Sequence, residues 1–271
     1  VSMERINIYE KTKNEIASID ANGSYILDGK SICSLKTINI KSQVKCNLLF
    51  GNVDCDCDFD IVVEEGATLD AKGIFTGDSI NINIHTKNGK NSSISLHFID
   101  FSTGKSVILA NADMNETGTE YDWNMASLAS NNDNKIIKIN VEHNNQYLIG
   151  NVSNYGVCKD EAKLEIAGTT HISKGSKNTI TKQNARIMLI DEYSRGIAKP
   201  ILKIDENDVK ANHGASLGQL NEEHLFYLRS RGLSEAEAKK LIILGYFNPI
   251  MLLFKGEELE EYISKLIGER V

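Results

Sequence analysis

Val53-Asp54-Cys55-Asp56-Cys57-Asp58-Phe59-Asp60-Ile61 puts Val, Cys, Cys, Phe and Ile on one parity and four aspartates on the other. A period of two marks a β-strand, because successive side chains leave opposite faces of the pleat. The pattern recurs at Ile80–Ile84, Ile94–Phe98, Ile137–Val141, Ala162–Ile166 and Ile201–Ile204, and no helical period persists before residue 220. This region reads as all β. Between the runs lie polar corners such as Lys87-Asn88-Gly89-Lys90-Asn91, Ser173-Lys174-Gly175-Ser176-Lys177 and Asn22-Gly23, whose Asn and Gly tolerate positive φ. Short strands with frequent turns admit a sandwich, a barrel or a parallel β-helix. Inward Ile, Val and Leu with outward Asn, Ser, Lys and Thr, which can form ladders, favour the β-helix, although no exact repeat is visible.

The pattern changes at Leu220. Asn221 caps a predicted helix through Ser230, with Glu222 and Glu223 in its first turn, Arg229 near its end and Gly232 as its stop. Ser234 and Glu237 read as a capping box for a second helix closing near Gly245 to Pro249, and Glu257–Ile267 as a third, amphipathic one. The expected organisation is a β core over residues 1–219 and a small helical domain over 220–271.

The chain has 271 residues, 41% hydrophobic and 25% charged, with a mean hydropathy of -0.27. No run of eighteen apolar residues occurs, and Val1–Glu10 is too polar for a signal peptide, so the expected compartment is the cytoplasm. The net charge of -7 argues against a general nucleic-acid binder. Five cysteines without a secretion signal make a disulfide framework unexpected.

The segment Ile204-Asp205-Glu206-Asn207-Asp208-Val209-Lys210-Ala211-Asn212-His213-Gly214-Ala215-Ser216-Leu217-Gly218-Gln219-Leu220, running on to Leu225-Phe226-Tyr227-Leu228-Arg229-Ser230-Arg231-Gly232, resembles the SufB/SufD family of iron–sulfur cluster assembly proteins. Gly168–Ser176 and Leu189–Pro200 are similar to further family blocks. The resemblance implies a right-handed parallel β-helix with a C-terminal helical domain. It implies pairing through the β-helix, with itself or a SufB-like chain, over Ile201–Leu220. It also implies docking of the helices on a SufC-like ABC-type ATPase. An iron–sulfur cluster or iron, transient and shared with a partner, is the implied cargo. No G-x-x-x-x-G-K-[ST] sequence is present, so nucleotide is expected on the ATPase. The family's SufB-type Cys falls near Ala185 and its Glu at Gly214, and Ala211 and Asn212 replace the Cys and Ser that often precede the histidine in SufD-type chains. His213 matches the SufD-type histidine, so the ligand set looks SufD-like.

His213 is therefore the candidate iron or cluster ligand, against the plainer reading of a strand-end histidine. Leu225, Phe226, Arg229, Arg231 and Leu241 are candidates for ATPase docking. Cys55 and Cys57 share a parity with Val53, Phe59 and Ile61 and read as core cysteines; Cys33, Cys46 and Cys158 lie in separate segments that no ligand spacing links, and Cys158 reads as structural. Asp54, Asp56, Asp58 and Asp60 read as a solvated acidic face with some capacity for Ca²⁺. His85, His97, His143 and His171 are expected at outward or turn positions. The resulting reading is a scaffold or accessory subunit of a cluster-assembly complex, acting by binding rather than turnover. The alternatives are an interaction module that has lost its ligands and, more distantly, a β-helix polysaccharide-active enzyme.

Overall fold

The computed structural model describes residues 6–7, 12–13, 15–254 and 256–270. The Val1–Glu10 reading therefore falls mostly outside the described residues. The first strands are β1 (Ile6–Asn7), β2 (Thr12–Lys13), β3 (Ile16–Ile19) and β4 (Gly23–Leu27), followed by a short helix, α1 (Gly29–Ser34). Next come β5 (Thr37–Ile40), β6 (Lys45–Val53), β7 (Cys57–Val63), β8 (Thr68–Phe75), β9 (Asn81–Asn88) and β10 (Ser93–Asp100). The longer strands are β11 (Lys105–Met114), β12 (Glu120–Ala129), β13 (Asn134–His143), β14 (Ile149–Cys158) and β15 (Lys163–Ile172). Last are β16 (Thr179–Leu189), β17 (Arg195–Ile204) and β18 (Val209–Gln219), then α2 (Glu222–Ser230), α3 (Glu235–Met251) and α4 (Glu257–Gly268).

From β3 onwards, odd-numbered strands stack in one sheet and even-numbered strands in the other, each next to the strand two positions on, and all these pairs are parallel. The chain is a parallel β-solenoid. Facing partners lie 21 residues apart at Ile16↔Thr37 but 32 apart at Lys163↔Arg195. The coil lengthens along the chain, which is why no fixed period shows in the sequence. Asn91, Asn131 and Asn178 turn corners at φ values of 54°, 54° and 59°, and Gly175 does so at 93°.

The inward parity fills the space between the sheets with Ile, Leu, Val and aromatic side chains. Phe98 stacks on Phe75 with ring centroids 4.8 Å apart and lies 5.2 Å from the Trp123 ring. Outside, the expected polar ladders form. Asn140 Nδ2 donates to Asn111 Oδ1 at 3.0 Å, Asn144 Nδ2 to Asn115 Oδ1 at 2.9 Å, and Ser173 Oγ to Asn144 Oδ1 at 2.7 Å.

Three local expectations change. Val53–Ile61 is not one strand: β6 ends at Val53, Asp54–Asp56 turn a corner, and β7 starts at Cys57 with its parity kept. The region before residue 220 also contains α1, a single turn and a half capped by Asp28, too short to show a helical period. The second C-terminal helix runs through Gly245 and contains Pro249. Pro249 lies in the last turn, and buried Phe247 and Ile250 on either side of it hold the helix against the solenoid. The Asn221 cap and the Ser234–Glu237 capping box form as read.

The helices do not stand apart. A second apolar cluster joins Ile74, Ile99, Phe101, Ala126, Leu128 and Val157 from the even-numbered sheet to Ala238, Ile243, Phe247, Phe254, Ile263 and Ile267 from the helices. Behind α4, Arg270 donates through Nη1 to Ser102 O at 3.1 Å and through Nη2 to Phe101 O. Beneath it lies a buried ion pair. Lys135 Nζ, 1% exposed, sits 2.9 Å from Asp100 Oδ2, 0% exposed, and donates also to Leu128 O at 2.8 Å.

The histidine expectation fails at two positions for different reasons: His143 continues the inward parity of Ile137, Ile139 and Val141, whereas His97, on the outward parity, is covered by neighbouring rungs that carry Lys72 and Asn124. His97 and His143 are buried, at 7% and 0% exposure. His143 Nδ1 lies 3.1 Å from His171 O, which fixes the proton on that nitrogen, and Nε2 has no partner. Burial is the main cause that pulls the His143 pKa down to about 4. A histidine with a depressed folded pKa stays neutral while the unfolded chain takes up a proton. Stability is therefore full above pH 6.5 and falls as pH drops from about 6.5 towards 4. His143→Leu is expected to flatten this acid slope, worth about 3 kcal/mol by pH 4, in urea titrations at pH 7 and pH 4.5. An unchanged slope would assign the acid sensitivity elsewhere. His85 and His171 are half-buried and paired, His85 with Asp113 at 2.8 Å and His171 between Glu142 at 2.7 Å and Asp205 at 2.9 Å.

Candidate functional site

The solenoid ends at β17 and β18, each the last strand of its sheet. By register, Thr181, Gln183, Ala185 and Ile187 on β16 face Ala211, His213, Ala215 and Leu217 on β18. The β16 residues of this inward column are buried, at 2%, 3%, 3% and 1% exposure. Those on β18 have no coil above them. Leu217 continues the interior column yet is 51% exposed, and Ile197, Ile201 and Ile204 on β17 are also large exposed apolar side chains. The end of the solenoid therefore presents edge strands beside uncovered apolar side chains.

His213 sits on this terminal strand, exposed, one coil beyond Gln183. Ala185 lies in the core column under Ala215, so no thiol stands near His213 from that position. Gly214 faces Asn184 on the opposite parity, where an added Cβ would come within 3.3 Å of Asn184 Oδ1. At this position the end surface offers the His213 imidazole, with Gln183 one coil below it.

The docking candidates separate by position. Leu225 is buried, 6% exposed, and helps fix α2 to the apolar layer. Phe226 is 74% exposed, Tyr227 55% and Leu241 50%. The Arg231 guanidinium carbon lies 5.2 Å from the Tyr227 ring centroid, and Arg229 Nη1 lies 3.5 Å from Glu235 Oε2.

Three aspartates of the stripe bond to the next coil. Asp56 Oδ1 accepts from Asn81 N at 2.7 Å, Asp58 Oδ1 from Asn83 Nδ2 at 2.8 Å, and Asp60 Oδ2 lies 2.9 Å from Lys87 Nζ. No shared cation centre forms from these contacts.

The cysteines depart from the sequence reading. Cys46, Cys57 and Cys158 are buried core thiols, and burial pushes all three up, Cys46 and Cys57 to about 12 and Cys158 to about 11. Cys33 is not isolated, however. It forms a disulfide with Cys55, and Cys57 Sγ lies 3.8 Å from Cys33 Sγ. Stacking brings positions one coil apart into contact, and the separation of 22 residues matches no ligand spacing read along the chain.

Comparison with known proteins follows this geometry. The family model described as the SUF system FeS cluster assembly SufBD core domain matches residues 58–246. The iron–sulfur cluster assembly protein SufD of Bacillus subtilis is 35% identical over 122 residues, covering 45% of this chain and 28% of its own. SufD of Escherichia coli is 24% identical over 234 residues, covering 78% of this chain and 55% of its own. An iron–sulfur cluster assembly SufBD family protein of Mycobacterium tuberculosis is 31% identical over 100 residues, covering 37% of this chain and 12% of its own. The chain spans about half or less of the length of these relatives. Among the described residues no helix is long and apolar enough to cross a membrane.

Proposed function

Because this chain belongs to the SufB/SufD family of iron–sulfur cluster assembly proteins, we propose that it is a scaffold or accessory subunit of an ATPase-driven assembly complex in the cytoplasm. It acts by binding rather than turnover. The observation that carries this reading is the uncovered final coil, where Leu217 extends a buried column at 51% exposure beside His213. A second solenoid, from a SufB-like chain or a copy of this one, covers that end and buries its edge strands. Iron or a nascent cluster is cargo at the junction, with His213 as this chain's ligand and the others from the partner. Neutral imidazole suits iron, and a histidine on a free edge can turn to meet it.

The exposed face of α2 and α3, carrying Phe226, Tyr227, Arg229, Arg231 and Leu241, is the docking surface for a SufC-like ATPase. Residues 220–271 act as the docking unit, and Leu225 supports the face from beneath. Phe226→Asp with Leu241→Asp is expected to abolish co-purification with the ATPase while shifting the unfolding free energy by less than about 0.5 kcal/mol per site. Undiminished capture by the folded double variant would remove the docking role. For the ligand, His213→Ala is expected to reduce the iron retained by the reconstituted pair without changing its mass. Equal retention would take His213 out of the site.

A further inference from the structure

We propose that Cys33, Cys55 and Cys57 form a thiolate site for one soft, tetrahedral cation of the Zn²⁺ or Cu⁺ class, open when the Cys33–Cys55 bridge is reduced. The three residues come from three pieces of chain: the end of α1, the corner after β6 and the first residue of β7. Their Sγ atoms all lie within 4.8 Å of one another. Four sulfurs around zinc at about 2.3 Å stand about 3.8 Å apart along each edge of the tetrahedron. The Cys33–Cys57 sulfur separation is 3.8 Å.

The backbone is shaped to bring these sulfurs together. α1 interrupts the solenoid at this one corner, and its first residue, Gly29, passes so close to β6 that an added Cβ would lie 1.7 Å from Asn52 O. The register between β6 and β8 shifts between Leu49 and Asn52 at the same place. Together these features carry Cys33 across to the Cys55 corner. A purely structural disulfide accounts for two sulfurs. It leaves unexplained why a third stands at ligand distance on the same corner, whereas Cys46 and Cys158 are buried as single thiols.

An entry path is present. Cys33 and Cys57 line a surface pocket with Lys36, Asp56, Asp58, Asn81 and Asn83. Opening the site needs a two-electron reductant, such as a dithiol or a trialkylphosphine; the phosphine ends as its oxide, with water supplying the oxygen and the two protons. The dithiol closes to its own disulfide, its two protons pass to the Cys33 and Cys55 sulfurs, and the cation then displaces three thiol protons to solvent. This site is distinct from the His213 end of the solenoid and does not depend on pairing.

The test uses the full chain, reduced anaerobically with a trialkylphosphine, desalted and titrated with Co²⁺. One equivalent is expected to bind with the visible bands of tetrahedral coordination and sulfur-to-cobalt charge transfer, and equimolar Zn²⁺ is expected to displace it. The unreduced chain is expected to give neither signal. Cys33→Ser and Cys57→Ser should each weaken binding by more than about tenfold, the scale on which even outer-shell changes act, and Cys46→Ser and Cys158→Ser should leave it unchanged. Alkylation with iodoacetamide, read by peptide mass spectrometry, gives a second readout on the unmodified sequence. Zn²⁺ should protect Cys33, Cys55 and Cys57 together. A reduced chain with all thiols free that gives no tetrahedral cobalt spectrum would overturn the site, and so would Zn²⁺ that protects none of the three.

Discussion

Lys135→Met is expected to destabilise the chain by about 3–5 kcal/mol, because it strands the Asp100 carboxylate without a cation in a fully buried position. Burial holds the Lys135 pKa below its usual value, and the Asp100 carboxylate beside it opposes that shift. Asp100 also accepts from Ser127 Oγ at 2.6 Å and from Ser102 N at 2.8 Å, and these neutral donors do not replace the lost charge. Adding Asp100→Asn to Lys135→Met removes the unpaired charge and should restore a large part of the loss. Urea denaturation of the two single variants and the double variant measures the coupling. A Lys135→Met variant within about 1 kcal/mol of the parent would show that the pair contributes little.

Truncation after Leu220 is expected to cost the solenoid its stability, not only its partner. The helices cover Ile74, Ile99, Phe101, Ala126, Leu128 and Val157 on the outer face of the even-numbered sheet. Each large apolar side chain contributes about 1.5–3 kcal/mol when fully buried, so uncovering the five large ones costs an amount comparable to the usual net stability of about 5–15 kcal/mol. The bond from Lys159 Nζ to Arg270 O at 2.9 Å and the Arg270 bonds to the Phe101 and Ser102 carbonyls disappear with them. The truncated chain should lose its cooperative thermal transition or aggregate when purified. A truncated chain that melts cooperatively near the parent temperature would make the helices an accessory and not part of the folding unit. Because truncation removes both roles at once, the outward-facing Phe226 and Leu241 are the positions that separate docking from support.

Much of this architecture is written in the alternation of side chains. Inward Ile, Leu and Val at every second position specify which face each strand buries, and they do so even across the Asp54–Asp56 corner, where the strand breaks but the parity survives. The helix starts were legible because Asn221 and the Ser234–Glu237 pair are local hydrogen-bonding devices. What could not be read depends on stacking between coils. His97 lies on the outward parity in sequence, but neighbouring rungs cover it, whereas the burial of His143 follows the alternation of Ile137, Ile139 and Val141. Cys33 meets Cys55 and Cys57 only because a short helix folds across one corner. Pro249 suggested a helix end, yet tertiary packing of Phe247 and Ile250 carries the helix past it. His213 was found through its resemblance to a family motif, and its place on the open end rests on the register with Gln183. The change of pattern at Leu220 marks where the strands stop, but not that the last rung is left uncovered.

The most direct test of pairing through that last rung is the solution mass by light scattering at micromolar concentration, for the chain alone and mixed with a SufB-like chain. The account predicts a two-chain species in at least one of these samples and a return to 30.0 kDa when Leu217→Asp and Ile201→Asp are introduced together. A 30.0 kDa monomer in both samples, or a two-chain species that survives both substitutions, would contradict it.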